Sequence, residues 1–72
     1  MEATVIKKEL YKQKPTAKLD FIRLGVAYYS APIEYDSKEV KIEFQVPVSD
    51  MGDTDFHPLM DAKLLNRYIT NP

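Results

Sequence analysis

The sequence predicts a single small β-rich domain over residues 1–72, either an antiparallel sheet or a five-stranded barrel-like fold, with one short helix near the C-terminus. Three observations support this prediction: an unbroken alternation of apolar and polar residues, several short runs of strand-forming residues, and turn residues between those runs. The alternation extends from Glu39 to Val48, and its apolar members are Val40, Ile42, Phe44, Val46 and Val48. A period of two places one set of side chains on a buried face and the other set in water, as in a β-strand.

The N-terminal segment is compatible with either a helix or a strand. Ile6 and Leu10 lie four residues apart, as on one face of a helix, whereas the Val, Ile, Thr and Tyr of residues 4–11 are typical of a strand. We predict a strand here. Pro15 then marks a polar turn and favours an extended backbone at Lys14.

Two further strands are predicted over residues 17–24 and 26–31, with Gly25 between them as a turn or a bulge. Phe21 and Ile22 are adjacent and both apolar, so we expect the buried face to switch near this pair.

Tyr28 and Tyr29 are neighbours on a strand, so one of them is expected to be buried and the other exposed. Pro32 ends this strand or restricts it to a sheet edge, and residues 34–38 contain the Asp and Ser of a hairpin turn. The alternating strand that follows is expected at the centre of the sheet, and its ladder must stop at Pro47, which has no N–H.

The C-terminal third has two interpretations. Pro58 suits the first turn of a helix, with Asp55 as its cap, and residues 64–70 alternate acceptably as a strand. We predict a helical turn over residues 58–63 followed by a closing fifth strand. The alternative is an α+β fold in which a C-terminal helix lies across a four-stranded sheet.

A small core is predicted from the alternating strand and its neighbours. Its members are Val40, Ile42, Phe44, Val46, Leu19, Phe21 and at least one of Leu64 and Leu65. A chain this short buries only about 60% of its unfolded surface, and the absence of Cys rules out disulfides. Because small cores without cross-links are often completed by association, we expect a homo-oligomer or a protein partner.

Several functional classes are disfavoured by the composition. Gly occurs only at Gly25 and Gly52, so no phosphate-binding loop or dinucleotide fingerprint is present, and we expect no cofactor. No run approaches the roughly 20 apolar residues of a membrane span, and residues 1–12 lack the apolar region of a signal peptide. We therefore expect a cytoplasmic protein without a membrane partner.

The charges are unevenly distributed along the chain. Through Arg23 there are six basic and three acidic residues, whereas the remainder has four basic and eight acidic residues. The nucleic-acid contact candidates are Lys7, Lys8, Lys12, Lys14 and Arg23. Tyrosines beside such residues could stack on the bases of a single strand, as in small five-stranded barrels. The alternative is a solvated basic face that discourages edge pairing.

Catalytic and metal-binding residues are not expected. His57 is the only histidine, and no nucleophile elbow surrounds the serines. Asp50, Asp53, Asp55 and His57 have the composition of a divalent-metal site, but their spacing does not fit an EF-hand loop. Because Asp is also a common turn and capping residue, we predict no metal here and keep a metal-dependent activity of residues 50–57 as the weakest alternative.

We therefore expect a non-enzymatic binding or structural module that acts through a protein–protein or self-association interface, with Tyr28, Tyr29 and Tyr35 as interface candidates. Accessory proteins of phages and mobile elements are commonly compact modules of this kind. A single-stranded nucleic-acid binder is the alternative. The size and predicted strand count are compatible with SH3-like and oligonucleotide-binding barrels, an analogy of fold that does not assign a function.

Overall fold

Four antiparallel strands form an open sheet in the order β3-β2-β1-β4. The computed structural model describes residues 2–51 and 57–70. Its elements are α1 (Ala3–Gln13), β1 (Thr16–Arg23), β2 (Val26–Tyr35), β3 (Lys38–Pro47), a first 3-10 helix (Val48–Met51), β4 (Leu59–Asp61) and a second 3-10 helix (Ala62–Tyr68). The predicted mainly β, antiparallel fold is confirmed, with four strands in an open sheet instead of five in a barrel.

Two tight hairpin turns connect the three long strands, as predicted. Leu24 and Gly25 link β1 to β2 with φ values of 50° and 77°, and Asp36 and Ser37 link β2 to β3 with φ values of 55° and 62°. Positive φ at both central residues defines the type I′ turn, whose twist matches that of the flanking strands.

Strand β3 is the alternating strand of the sequence, but it lies at a sheet edge and β2 takes the inner position. The C-terminal segment covers part of this edge: Ile69 forms a bridge with Phe44, and the Thr70 N–H donates to the Glu43 carbonyl at 3.1 Å. The ladder between β2 and β3 ends at Pro47, as expected. Pro32 does not end β2, because there the strand pairs with β3 while its ladder to β1 stops at Ser30.

A β-bulge in β1 inverts the alternation of its side chains. Leu19 pairs with Tyr29, but Phe21 pairs with Tyr28, so Asp20 is the extra residue. Leu19 is therefore directed to the core and Phe21 to the other face of the sheet. The predicted switch of faces is confirmed, and it occurs at Asp20, one residue before the predicted pair Phe21 and Ile22. The prediction that Phe21 is buried is wrong, because its side chain is 53% exposed.

The N-terminal segment is a helix, so the predicted strand there is wrong. Ile6 and Leu10 are both fully buried, as the four-residue spacing allows on one helical face, while the charged residues between them stay at the surface. The helix ends at Lys14, which is left-handed (φ 50°, ψ 53°) and donates its N–H to the Leu10 carbonyl at 2.9 Å. The expected extended backbone at Lys14 is thus also wrong.

Gln13 fastens the end of α1 to β2. Its side-chain amide donates to the Glu34 carbonyl at 2.7 Å, and its amide oxygen accepts from the Glu34 N–H at 2.8 Å. The Gln13 side chain thereby replaces a neighbouring strand at a point that the ladder to β1 does not reach.

The order of the C-terminal elements is the reverse of the prediction. Residues 59–61 form β4 beside β1, and the second 3-10 helix follows where a strand was expected. The Asp61 side chain starts this helix by accepting a 3.1 Å hydrogen bond from the Lys63 N–H. The proposed cap at Asp55 lies outside the described residues.

The core lies between the sheet and the two helices α1 and Ala62–Tyr68. Ile42, Phe44, Val46 and Leu65 are buried as predicted, whereas Val40 and Leu19 are half-buried and Leu64 is 63% exposed. The other buried residues are Ile6, Leu10, Ala17, Ala27, Tyr29, Ala31, Ile33 and Ala62. Within residues 2–51 and 57–70, no helix is long and apolar enough to cross a bilayer.

Candidate functional site

The sheet has one face against the helices and a second face that carries the candidate site. We call this second surface the outer face. Strand register and burial place on it Thr16, Lys18, Phe21, Arg23, Val26, Tyr28, Ser30, Pro32, Glu34, Glu39, Lys41, Glu43, Gln45, Pro47, Leu59 and Asp61. Apart from Ser30, these residues are exposed or half-buried. Both helices that enter the core, α1 and Ala62–Tyr68, contribute their buried residues on the opposite side of the sheet.

A pair of stacked aromatic rings lies on the outer face, next to the end of the sheet that holds Arg23 and Val26. The ring centroids of Phe21 and Tyr28 are 4.5 Å apart, with an angle of 21° between the ring planes. Phe21 remains 53% exposed, and Leu59 on the neighbouring edge strand is 60% exposed. The bulge at Asp20 creates this stack, because it turns Phe21 to the side that Tyr28 occupies.

Charged residues of both signs share the outer face with the stack. The cationic residues of the outer face are Lys18, Arg23 and Lys41. The carboxylates are Glu34, Glu39, Glu43 and Asp61, and Asp20 at the bulge lines one depression together with Glu43. Exposed aromatic side chains beside charged residues have the composition of a protein interaction surface.

Two shallow depressions of about 440 Å³ each lie side by side on the outer face and share Lys41. One is lined by Thr16, Lys18, Ser30, Ala31, Pro32, Glu39 and Lys41. The other is lined by Asp20, Phe21, Tyr28, Tyr29, Lys41, Glu43, Phe44 and Gln45. Small-molecule sites bury most of the ligand surface in a concave, mainly apolar pocket. These open depressions instead suit the side chains of a macromolecular partner.

The three tyrosines predicted as interface residues do not share one surface. Tyr28 lies on the outer face, half-buried against Phe21. Tyr29 is 1% exposed and belongs to the core, so its ring cannot supply contact area to a partner. Tyr35 is exposed at the end of β2, on the opposite side of the sheet from Tyr28 and about 23 Å further along the strand at 3.3 Å per residue.

The basic residues predicted to contact nucleic acid are also separated. Lys7, Lys8 and Lys12 are exposed on α1, on the opposite side of the sheet from Tyr28, and Lys14 caps that helix. Of the five candidates, only Arg23 reaches the outer face. Tyr28 on the outer face and the three lysines of α1 therefore do not form a common groove.

Residues 50–57, which carry the metal-site candidates, are described only in part. The Tyr68 hydroxyl donates a hydrogen bond to Asp50 at 3.0 Å. This hydrogen bond is the main cause of a raised pKa of Tyr68, and burial is the second cause. The His57 carbonyl accepts a hydrogen bond from Tyr29. Asp53 and Asp55, on which the metal hypothesis depends, lie outside the described residues.

Phe21 is the functional candidate that sequence reasoning missed. The adjacent apolar pair Phe21 and Ile22 signals that the alternation breaks, but it does not identify Asp20 as the inserted residue. That identity decides which of the two side chains faces outward.

No protein-family model, curated protein or solved structure matches this chain.

Proposed function

We propose that this chain is a non-enzymatic binding module that docks a protein on the outer face of its sheet. The exposed Phe21–Tyr28 stack is the observation that supports this proposal. Large contiguous apolar patches are uncommon on monomeric proteins and mark interaction sites when polar residues surround them. Aromatic side chains at the centre of an interface also supply most of the binding energy.

The charge pattern favours a protein partner over a nucleic acid. A phosphate backbone lying across the outer face would meet Lys18, Arg23 and Lys41, but also Glu39 and Glu43 beside them. Nucleic-acid surfaces instead carry a clear excess of Lys and Arg. A protein surface with charges of both signs can match this charge pattern.

Site-specific photo-crosslinking tests the proposal and captures the partner directly from the cell. p-Benzoylphenylalanine replaces Tyr28 in one variant and Leu64, which is 63% exposed on the second 3-10 helix, in a control variant. Irradiation in the organism that encodes the chain should give a discrete protein adduct from position 28 and none of that mass from position 64. Absence of an adduct at position 28, with the variant folded and expressed, would contradict the proposal.

Substitution provides a second test once the adduct is identified. Phe21→Ser should weaken binding of the purified partner by at least tenfold, since hot-spot truncations cost about 2 kcal/mol or more. Leu64→Ser removes a large apolar side chain that is also more than half exposed, and it should leave the dissociation constant unchanged.

A further inference from the structure

Residues that pair across neighbouring strands form rows on the outer face. One row carries opposite charges on its two flanks, which are the strands β1 and β3 on either side of β2. Lys18 pairs with Ser30, and Ser30 pairs with Glu43, so this row has a cation on β1, a hydroxyl on β2 and a carboxylate on β3. The next row holds Phe21 and Tyr28. A surface of this kind is complementary to a copy of itself if a two-fold rotation exchanges its flanks.

We propose that the partner on the outer face is a second copy of this chain, packed face to face about a two-fold axis that runs along β2. This inference rests on the proposed function and specifies its partner. The rotation exchanges β1 and β3 but keeps each row in place, so Lys18 of each copy lies opposite Glu43 of the other. Tyr28 then lies near the axis, and the Phe21–Tyr28 stacks of the two copies form one aromatic patch across it.

The charge pattern selects this axis over the other simple arrangement. An axis that crosses the strands at the row of Phe21 would place each β1 over its own copy. Lys18 and Arg23 lie one row from Phe21, on opposite sides of it. Lys18 of each copy would then face Arg23 of the other copy. Like charges in direct opposition disfavour an interface.

The size of the outer face is in the lower part of the range for stable dimers. The chain measures 37 × 19 × 17 Å along its principal axes, so its broad side has a projected area of at most about 700 Å². Stable interfaces bury about 600 to 1,000 Å² on each partner. Facing sheets pack about 10 Å apart, a distance that opposed aromatic side chains can fill.

One residue opposes this arrangement. Glu34 lies on β2, six residues from Tyr28 and thus about 20 Å along the axis, where it faces its own copy. Because it is exposed at the rim, water and salt screen much of this repulsion. The arrangement therefore predicts that Glu34→Gln strengthens the dimer.

Charge exchange in sedimentation equilibrium at 150 mM NaCl tests the arrangement. The wild type should dimerise at micromolar concentration. Lys18→Glu and Glu43→Lys should each weaken the dimer by about tenfold, because each variant creates two like-charge contacts in the symmetric interface. The double variant should return to within about threefold of the wild type, since both contacts are restored with reversed polarity.

A charge change away from the interface is the control. Lys7→Glu makes the same substitution on the exposed side of α1 and should not alter the dimerisation constant. Circular dichroism establishes that each variant is folded. A monomeric wild type at 500 μM overturns the inference, and so does a dimer in which the double variant is no stronger than the single ones.

The crosslinking result separates failure of this inference from failure of the proposed function. A monomeric wild type whose position 28 captures a different protein leaves the proposed function intact and overturns only the self-association. A chain that neither dimerises nor gives an adduct at position 28 contradicts both.

Discussion

The Tyr29 hydroxyl donates a 2.9 Å hydrogen bond to the backbone carbonyl of His57. Tyr29 is on the inner strand β2 and its side chain is 1% exposed, whereas His57 precedes the short edge strand β4. The bond therefore links the best-packed strand to the segment that leads into β4. A second bond, from the Leu19 N–H to the Pro58 carbonyl at 2.9 Å, fixes the next residue of this segment.

Removal of the Tyr29 hydroxyl should destabilise the fold. We expect Tyr29→Phe to lower the free energy of unfolding by about 1 kcal/mol, because the ring still fills the core while the His57 carbonyl loses its donor. This corresponds to a decrease of roughly 4 to 8 °C in the melting temperature of a domain of this size. Tyr11→Phe, which affects only an exposed 3.2 Å contact with Asn66, is the control and should change little. Equal melting temperatures of Tyr29→Phe and the wild type would contradict the role of this bond.

Alkaline pH should destabilise the protein through the same residue. Burial raises the pKa of Tyr29 above its ordinary value of 10.0. Above that value the unfolded chain releases the phenol proton while the folded chain retains it, so the unfolded state binds fewer protons and stability falls as pH rises. Urea unfolding between pH 9 and 12 should show this decline, with a smaller slope in Tyr29→Phe. An identical slope in both proteins would contradict the assignment to Tyr29.

Much of the sheet could be predicted because its signals are local. The alternation in β3 follows from burial of one face, and the type I′ turns follow from short polar or Gly-containing pairs such as Asp36–Ser37. The helix α1 was wrongly predicted as a strand, because β-branched residues such as Val5 and Ile6 are typical of strands. Its burial against the sheet, a long-range effect, overrides that preference.

The candidate site was less predictable than the fold because it depends on strand register. Tyr28 was identified from its position beside Tyr29, but its contact with Phe21 requires the bulge at Asp20. The shared row of Lys18 and Glu43 also depends on the register of two ladders, which residues 25 positions apart in the chain do not reveal.

Leu24 is a strained position that substitution should relieve. It has a φ of 50° in the first hairpin turn and is 91% exposed, so its side chain contributes little burial to offset an unfavourable backbone. Leu24→Asn supplies the residue preferred in type I′ turns and should raise stability by about 0.5 to 1 kcal/mol, measured by urea unfolding. Asp36→Asn at the equivalent position of the second turn is the control and should have little effect, because Asp already tolerates a φ of 55°. A destabilised Leu24→Asn would show that this leucine has a structural contact.

Phe44 should be the most costly truncation in β3. Its side chain is fully buried, pairs with Tyr29 and lies at the bridge to Ile69. Phe44→Ala should cost about 3 to 5 kcal/mol, which could unfold so small a chain at room temperature. Gln45→Ala changes the next residue, on the exposed face, and should retain the wild-type melting temperature within a few degrees. A folded Phe44→Ala with an unchanged transition would contradict the packing of this strand.

Single-stranded nucleic acid should bind weakly. Lys7, Lys8 and Lys12 on α1 and the Tyr28 ring lie on opposite sides of the sheet, so one strand cannot contact the lysines and stack on this ring at once. We expect the dissociation constant of a fluorescein-labelled oligothymidine to exceed about 100 μM at physiological salt, as measured by anisotropy. A micromolar complex would reverse the ranking of partners if two conditions held. Its affinity would have to fall steeply with salt, and Tyr28→Ala would have to remove about 1 to 3 kcal/mol of binding, as expected when a base stacks on that ring.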